Sequence, residues 1–303
     1  MSTFRILSFD GGGIRGALST RVLKRLCIQY PELLAKTDLF AGTSTGALIA
    51  IALACGKDAT FVDNIYNYET IKNIFSPKGL GLFKPKYSNN NLKKVLTSVL
   101  PRDLTIGDIK KHVFIPAFNV NGYTSSDQWE AVFFNNLSRG STYTANAIDV
   151  ALASSAAPTY FPSHKGFIDG GVTANNPSMA AMITTMKLLK PKPQIYNFKI
   201  LSIGTGRTLN SIKRNTSSWG ALKWIYNPLC EDKTPIVSIL LSDTTLAHLY
   251  CQELLGNNYY RINPILRYDI PLDDYEKVPL LKNAVDELNL SDAYKYINNF
   301  YLK

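Results

Sequence analysis

Leu39-Phe40-Ala41-Gly42-Thr43-Ser44-Thr45-Gly46-Ala47-Leu48-Ile49 decides the reading of this chain. Residues 39–42 suit a short strand, and the G-x-S-x-G pentapeptide that overlaps their end leads into a helix over residues 45–55. That helix is apolar on every side, which marks it as buried, and Gly56 is placed to cap its end. A serine between strand and helix, with Gly42 and Gly46 two residues either side, is the pattern of a nucleophile elbow. The serine sits on a sharp, strained turn, and a side chain at either glycine would collide with neighbouring backbone. The helix N-terminus behind Ser44 favours developing negative charge. The plainer reading of the same residues is a serine capping a helix in a tight turn.

Two further glycine clusters flank this stretch. Upstream, Asp10-Gly11-Gly12-Gly13-Ile14-Arg15-Gly16 joins a strand over residues 4–10 to a helix over 17–30. Successive glycines let backbone N–H groups turn toward one ligand oxygen, as in an oxyanion or phosphate nest. Gly11, Gly13 and Gly16 also match the dinucleotide fingerprint, which needs an acidic residue at the end of the second strand. Asp38 has the distance but precedes its strand, so the nucleotide reading is weak. Downstream, Ile168-Asp169-Gly170-Gly171-Val172 ends a strand over 166–169 and leads to Asn175-Asn176-Pro177. A carboxylate there, with two glycines behind it, can approach another loop closely; alone it also reads as a turn aspartate before a helix. Strands over 113–120, where Pro116 weakens a central position, and 199–203 complete the pattern, with a helix over 177–190. Strand–helix alternation predicts a three-layer α/β/α fold around a mostly parallel sheet.

The chain has 303 residues, 46% hydrophobic and 18% charged, enough to bury a sizeable core. That excludes a disordered, collagen-like or coiled-coil protein. A formal net charge of +10 argues for an anionic partner. The longest uninterrupted apolar run, residues 47–55, is nine long, against about 20 for a spanning helix. No leader is expected, because the chain enters a strand at once, and Cys27, Cys55, Cys230 and Cys251 lack metal or redox spacing. A reducing, cytoplasmic location follows as an expectation. Residues 1–206 form the expected core, and 207–303 read as a mainly helical extension packed on it as one unit.

A serine nucleophile needs a base, and His112, His164 and His248 are the chain's three histidines. Ser44, Asp169 and His248 follow the chain order of an α/β-hydrolase triad. Against it, only two strands precede the elbow, and His248 lies in a helical spacing.

The segments Asp10 to Gly16, Gly42 to Gly46 and Asp169 to Gly171, in this order and spacing, resemble the patatin-like phospholipases. Residues 155–162 and 201–206 add to the likeness, which covers residues 4–206 well. The resemblance implies a Ser–Asp dyad acting as a phospholipase A, cleaving fatty acyl esters of membrane glycerophospholipids through an acyl-enzyme. Ser44 would be the nucleophile and Asp169 the base, with Gly11, Gly12 and Gly13 holding the oxyanion. Arg15 would steady that loop or meet a phosphate, and Gly42, Gly46, Gly170 and Gly171 would support the turns. No metal or other cofactor is implied. Ala47 departs from the family, many of whose members have another glycine there.

Residues 65–100 hold six lysines and one acidic residue, Glu69, interleaved with Ile74, Phe75, Leu80, Leu82 and Phe83 around Gly79 and Gly81. An interfacial lid touching a membrane surface is the expectation there, the alternative being a solvated loop with its apolar residues turned inward. Two other classes compete with the enzyme: an idle lipid-binding protein of the same fold, and a nucleotide-binding α/β protein. No nucleic-acid motif supports a nucleic-acid partner. A role inside a host cell, after delivery as an effector, is also open.

Overall fold

The structure, a computed structural model, describes residues 3–79, 83–121, 128–207, 212–230, 233–242 and 244–303. Its strands are β1 (Phe4–Phe9), β2 (Leu39–Gly42), β3 (His112–Asn119), β4 (Glu130–Asn135), β5 (Phe167–Asp169), β6 (Phe198–Ile203) and β7 (Tyr259–Ile262). They form one sheet in the order β4-β3-β2-β1-β6-β7, with β5 beside β3. The pairs β1–β2, β1–β6, β2–β3 and β6–β7 are parallel; β4 and β5 run antiparallel to β3.

Side chains that alternate along a strand face opposite layers. Leu7 and Phe9 of β1, with Leu201 and Ile203 of β6, enter the larger core. Helices Gly16–Gln29, Thr45–Ala54 and Ala147–Ser154 cover that face. Ile6, Phe198 and Ile200 face the other layer, under helices Ser178–Leu188 and Thr245–Leu255. This is the expected three-layer α/β/α arrangement. The sequence reading named neither β4 nor β7.

Within Thr45–Ala54 only Leu48 is not buried. The helix stops as its apolar run demands. Gly56 adopts φ 86° and donates to the Leu53 carbonyl at 2.9 Å, while Lys57 N–H reaches that of Ala52 at 3.0 Å, a Schellman cap.

The sheet register positions the site. β4 covers one edge of β3, so β2 and β5 share the other. β2 pairs with residues 112–114 and β5, running oppositely, with 117–119. Their carboxyl ends therefore point toward each other across Ile115 and Pro116, and Pro116 falls where neither strand pairs. Among the described residues no helix is long and apolar enough to cross a membrane.

Candidate active site

Ser44 occupies the turn after β2 with φ 54° and ψ −120°, a region that side chains rarely adopt. Two close approaches hold it. A Cβ on Gly42 would stand 2.0 Å from the Gly46 carbonyl oxygen, and one on Gly46 2.4 Å from that of Phe9. Both obstacles are backbone and cannot rotate aside. The Ser44 N–H donates to Ser154 Oγ at 3.0 Å.

Asp169 ends β5 and is 2% exposed. Its Oδ1 accepts the Gly171 N–H at 2.7 Å, and the Ser44 side chain lies in the same cleft. Burial pushes its pKa up to about 7, although the Gly171 N–H and the nearby Ser44 hydroxyl pull it down. Gly170 lets the loop press onto β3, since a Cβ there would stand 2.1 Å from the Pro116 carbonyl oxygen. A carboxylate of this pKa beside a hydroxyl can take its proton near neutral pH; an exposed aspartate, at about 3.9, does so poorly.

The glycine loop leaves β1 beside them, but its three amides differ. Gly11 N–H donates to the Asn175 carbonyl at 3.1 Å. Among the described residues the Gly12 and Gly13 N–H groups have no protein acceptor, and both residues line the cleft. Thr205 Oγ1 donates to the Gly11 carbonyl at 3.0 Å. Gly13 takes φ 56°, and Ile14 N–H donates to the Leu272 carbonyl at 2.9 Å. At the root of the loop, Asp10 is 1% exposed and clasped by both terminal nitrogens of Arg261. Arg261, in β7, also donates to Ser202 Oγ at 2.7 Å. Arg15 is buried beside this pair, and Asp269 and Asp10 favour its charge against the cost of burial. It does not line the cleft.

Ser44, Asp169 and the loop meet in one cleft. Leu48, Ile71, Ile74, Phe75, Leu92 and Leu241 make its walls mostly apolar. Of the two expectations for Ile74 and Phe75, the inward-turned one matches their exposures of 5% and 7%. The helices Tyr68–Ile74 and Asn89–Val99 turn their apolar sides to the cleft, because that is where apolar surface is removed from water. Phe83 is fully exposed; Leu80, Gly81 and Leu82 lie outside the described residues. Lys72, Lys78, Lys84, Lys93 and Lys94 face solvent, and Lys86 pairs with Asp273.

No histidine lines the cleft. His164 Nε2 lies 2.8 Å from Asp149, His248 Nδ1 3.4 Å from the Tyr259 hydroxyl, and His112 stacks on Phe4. Among the described residues no group of His, Cys, Asp or Glu could hold a metal ion. Arg261 and Leu272 escaped the sequence reading altogether, since neither belongs to a motif.

A mostly parallel α/β sheet that carries a serine turn into an apolar cleft is an arrangement that suits a hydrolase. A family model described as Patatin-like phospholipase matches residues 7–182, and the chain belongs to that family, whose substrates are lipids. It is 30% identical over 317 residues to Protein teg of Priestia megaterium, covering 98% of each chain. To Patatin-like protein 1 of Oryza sativa subsp. indica it is 31% identical over 287 residues, 78% of this chain and 67% of that one. To a cGAMP-activated phospholipase of Escherichia coli it is 30% identical over 227 residues, 66% of this chain and 62% of that one.

Proposed function

We propose that the chain is a phospholipase A that cleaves fatty acyl esters of membrane glycerophospholipids through a Ser44–Asp169 dyad. Asp169 accepts the Ser44 proton as Oγ bonds to the ester carbonyl carbon. The carbonyl oxygen, now negative, is held by the Gly12 and Gly13 N–H groups, each such donor being worth about 3–4 kcal/mol. Gly11 anchors this loop through Asn175 rather than binding the oxyanion. Collapse breaks the ester bond, the lysophospholipid oxygen takes the proton from Asp169, and the acyl chain stays on Ser44. Asp169 then deprotonates a water whose attack frees the fatty acid and restores Ser44.

One observation carries this reading: the serine on the strained turn shares a cleft with a buried carboxyl whose pKa burial lifts to about 7, and no histidine lines that cleft. Of the two roles open to Arg15, steadying the loop fits its burial off the cleft. The exposed Lys78 and Lys84, with Phe83 between them in sequence order, suit contact of residues 65–100 with anionic headgroups.

Mass spectrometry of a mixed phospholipid extract tests the proposal. Wild type should release fatty acid and lysophospholipid, and the Ser44→Ala protein neither. Retention of intact phospholipid without release, by a folded wild type, would make the chain an idle lipid binder.

A further inference from the structure

Leu272 reaches the cleft from the C-terminal third of the chain, on a strap that belongs to no motif of the sequence. Its carbonyl accepts the Ile14 N–H at 2.9 Å. The same oxygen would stand 2.1 Å from a Cβ on Gly13, so only glycine there admits the strap this closely. Ile14 thus spends its N–H on Leu272, and Gly11 spends its own on Asn175. Between those two anchors, among the described residues, Gly12 and Gly13 keep theirs free at the cleft. Asp269, three residues before Leu272, favours the charge of the buried Arg15 on the same loop.

The next residue, Asp273, is tied to a different wall. Its Oδ2 accepts the Tyr87 hydroxyl at 2.6 Å and also pairs with Lys86 Nζ. Hydrogen bonds to a charged group are about twice as strong as neutral ones, and this carboxylate is only 11% exposed. Tyr87 is buried but does not line the cleft; it stands behind it. Its ring meets Phe75 edge to face at 5.2 Å, Phe161 at 5.6 Å and Tyr160, stacked, at 6.5 Å. Those three residues do line the cleft. The Lys86 and Tyr87 N–H groups donate to the Thr159 and Tyr160 carbonyls at 3.0 and 2.8 Å, which fixes the cluster through main chain as well. Burial and the neighbouring carboxylate push the Tyr87 pKa up, so its hydroxyl remains a donor.

We infer that Asp273 is a positioning residue that holds the glycine loop and the aromatic wall of the cleft in fixed relation. It acts through its neighbours on both sides. Through Leu272 it sets where the Gly12 and Gly13 N–H groups stand; through Tyr87 it sets the space an acyl chain meets. Loss of the first slows every ester, because a donor displaced by about 1 Å can cost about a hundredfold. Loss of the second falls on long chains. The inference rests on reading the cleft as the site of an ester hydrolase, and goes beyond it by assigning a residue that governs both turnover and chain-length preference.

Asp273→Ala, Asp273→Asn and Tyr87→Phe test it with two readouts, one of which needs no turnover. Hydrogen–deuterium exchange of the Ile14 amide, the donor to Leu272, should quicken at least about tenfold in Asp273→Ala while the amides of β1 keep their wild-type protection. With p-nitrophenyl butyrate, the same variant should lose at least about tenfold in kcat and keep KM within about twofold. With p-nitrophenyl decanoate, kcat/KM should fall by at least about fivefold more. Tyr87→Phe should reproduce part of the chain-length effect and add nothing in the Asp273→Ala background, where the bond is already gone. Asp273→Asn, whose amide oxygen still accepts the Tyr87 hydroxyl, should recover most of each loss. Ile14 exchange unchanged in a folded Asp273→Ala protein overturns the inference. So does exchange that quickens equally throughout β1, which would make Asp273 a residue of global stability alone, or wild-type kcat and chain-length preference in an active Asp273→Ala enzyme. Wild type inert toward both esters would strike the dyad, and the exchange arm would still decide the place of Asp273.

Discussion

At the carboxyl edge of the sheet, Gly42, Gly170 and Gly46 each leave a backbone oxygen between 2.0 and 2.4 Å from where a Cβ would stand. Asp169 and Asp10 are buried there with their partners in place. On the flanks of the cleft the situation is reversed: Phe83 and Leu222 stand in solvent, and the lysines beside them mostly lack fixed partners. The proposed chemistry thus depends on backbone that one added methyl group would displace. The reach toward substrate depends on side chains that can be exchanged at little cost to the fold. A change at the edge should strike turnover or stability; a change on the flanks should strike binding to lipid.

The largest break in this contrast comes from the edge itself. Ser44→Ala and Asp169→Asn should each lower hydrolysis of a soluble chromogenic ester at least about a thousandfold, because each removes a group the chemical step uses. Circular dichroism should show both proteins folded. Residual turnover of Asp169→Asn near the wild-type level would remove the carboxyl group from the mechanism.

Next in size is Arg261→Met. It leaves Asp10 buried without its cation, and loss of one partner of a buried pair costs about 3–5 kcal/mol. Urea denaturation should show the loss, and Asp10→Asn added to Arg261→Met should recover part of it, since the stranded charge is then gone. If the single variant is as stable as wild type, the glycine loop does not hang on β7.

Asp169 also makes activity and stability pull apart with pH. Its carboxyl group has pKa 3.8 in an exposed setting and about 7 here. Below 3.8 both folded and unfolded chains are protonated, and its burial costs nothing. As pH rises from 3.8 to about 7 the unfolded chain ionises first, so stability is lost across that window. The gap bounds the loss at about 4 kcal/mol. Asp169→Asn cannot ionise, so its stability relative to wild type should climb between about pH 4 and pH 8. Wild-type kcat/KM should rise about tenfold per pH unit below 7 and level off above it. An activity plateau that starts near pH 4 would show that Asp169 is not the base.

Legibility followed the range of the interactions. β1, β2 and the helix after Ser44 were readable because glycines with steric duties stand next to apolar runs of clear period. β4 and β7 were not. β7 has four residues, Tyr259-Tyr260-Arg261-Ile262, inside a stretch whose Tyr, Asn and Leu content reads as helical. Arg261 belongs to no motif, and its partner Asp10 lies 251 residues away. No local spacing records such a pair. Three glycines in a row announced a nest of donors, but only the approach of Asn175 shows that Gly11 has already given its N–H away. Whether Ile74 and Phe75 meet a lipid surface or turn inward stayed open in the sequence, because the cleft that covers them is assembled from segments far apart in sequence.

The smallest expected effect is the sharpest discriminator between two carboxyl-edge chemistries. A triad needs an imidazole against Ser44, and the chain order Ser44, Asp169, His248 would allow one. His248 instead sits on helix Thr245–Leu255 with Nδ1 near the Tyr259 hydroxyl, and burial and the neighbouring Arg261 hold its pKa down. His164 is engaged with Asp149, which Lys165 also contacts at 2.6 Å. His164→Ala and His248→Ala should therefore keep kcat/KM for a soluble ester within about threefold of wild type, the change of a surface or packing site. His164→Ala should show a slightly lower melting temperature, since it frees a partly buried Asp149 oxygen. A thousandfold loss of turnover in either variant, with the fold intact by circular dichroism, would put an imidazole between the serine and its carboxyl.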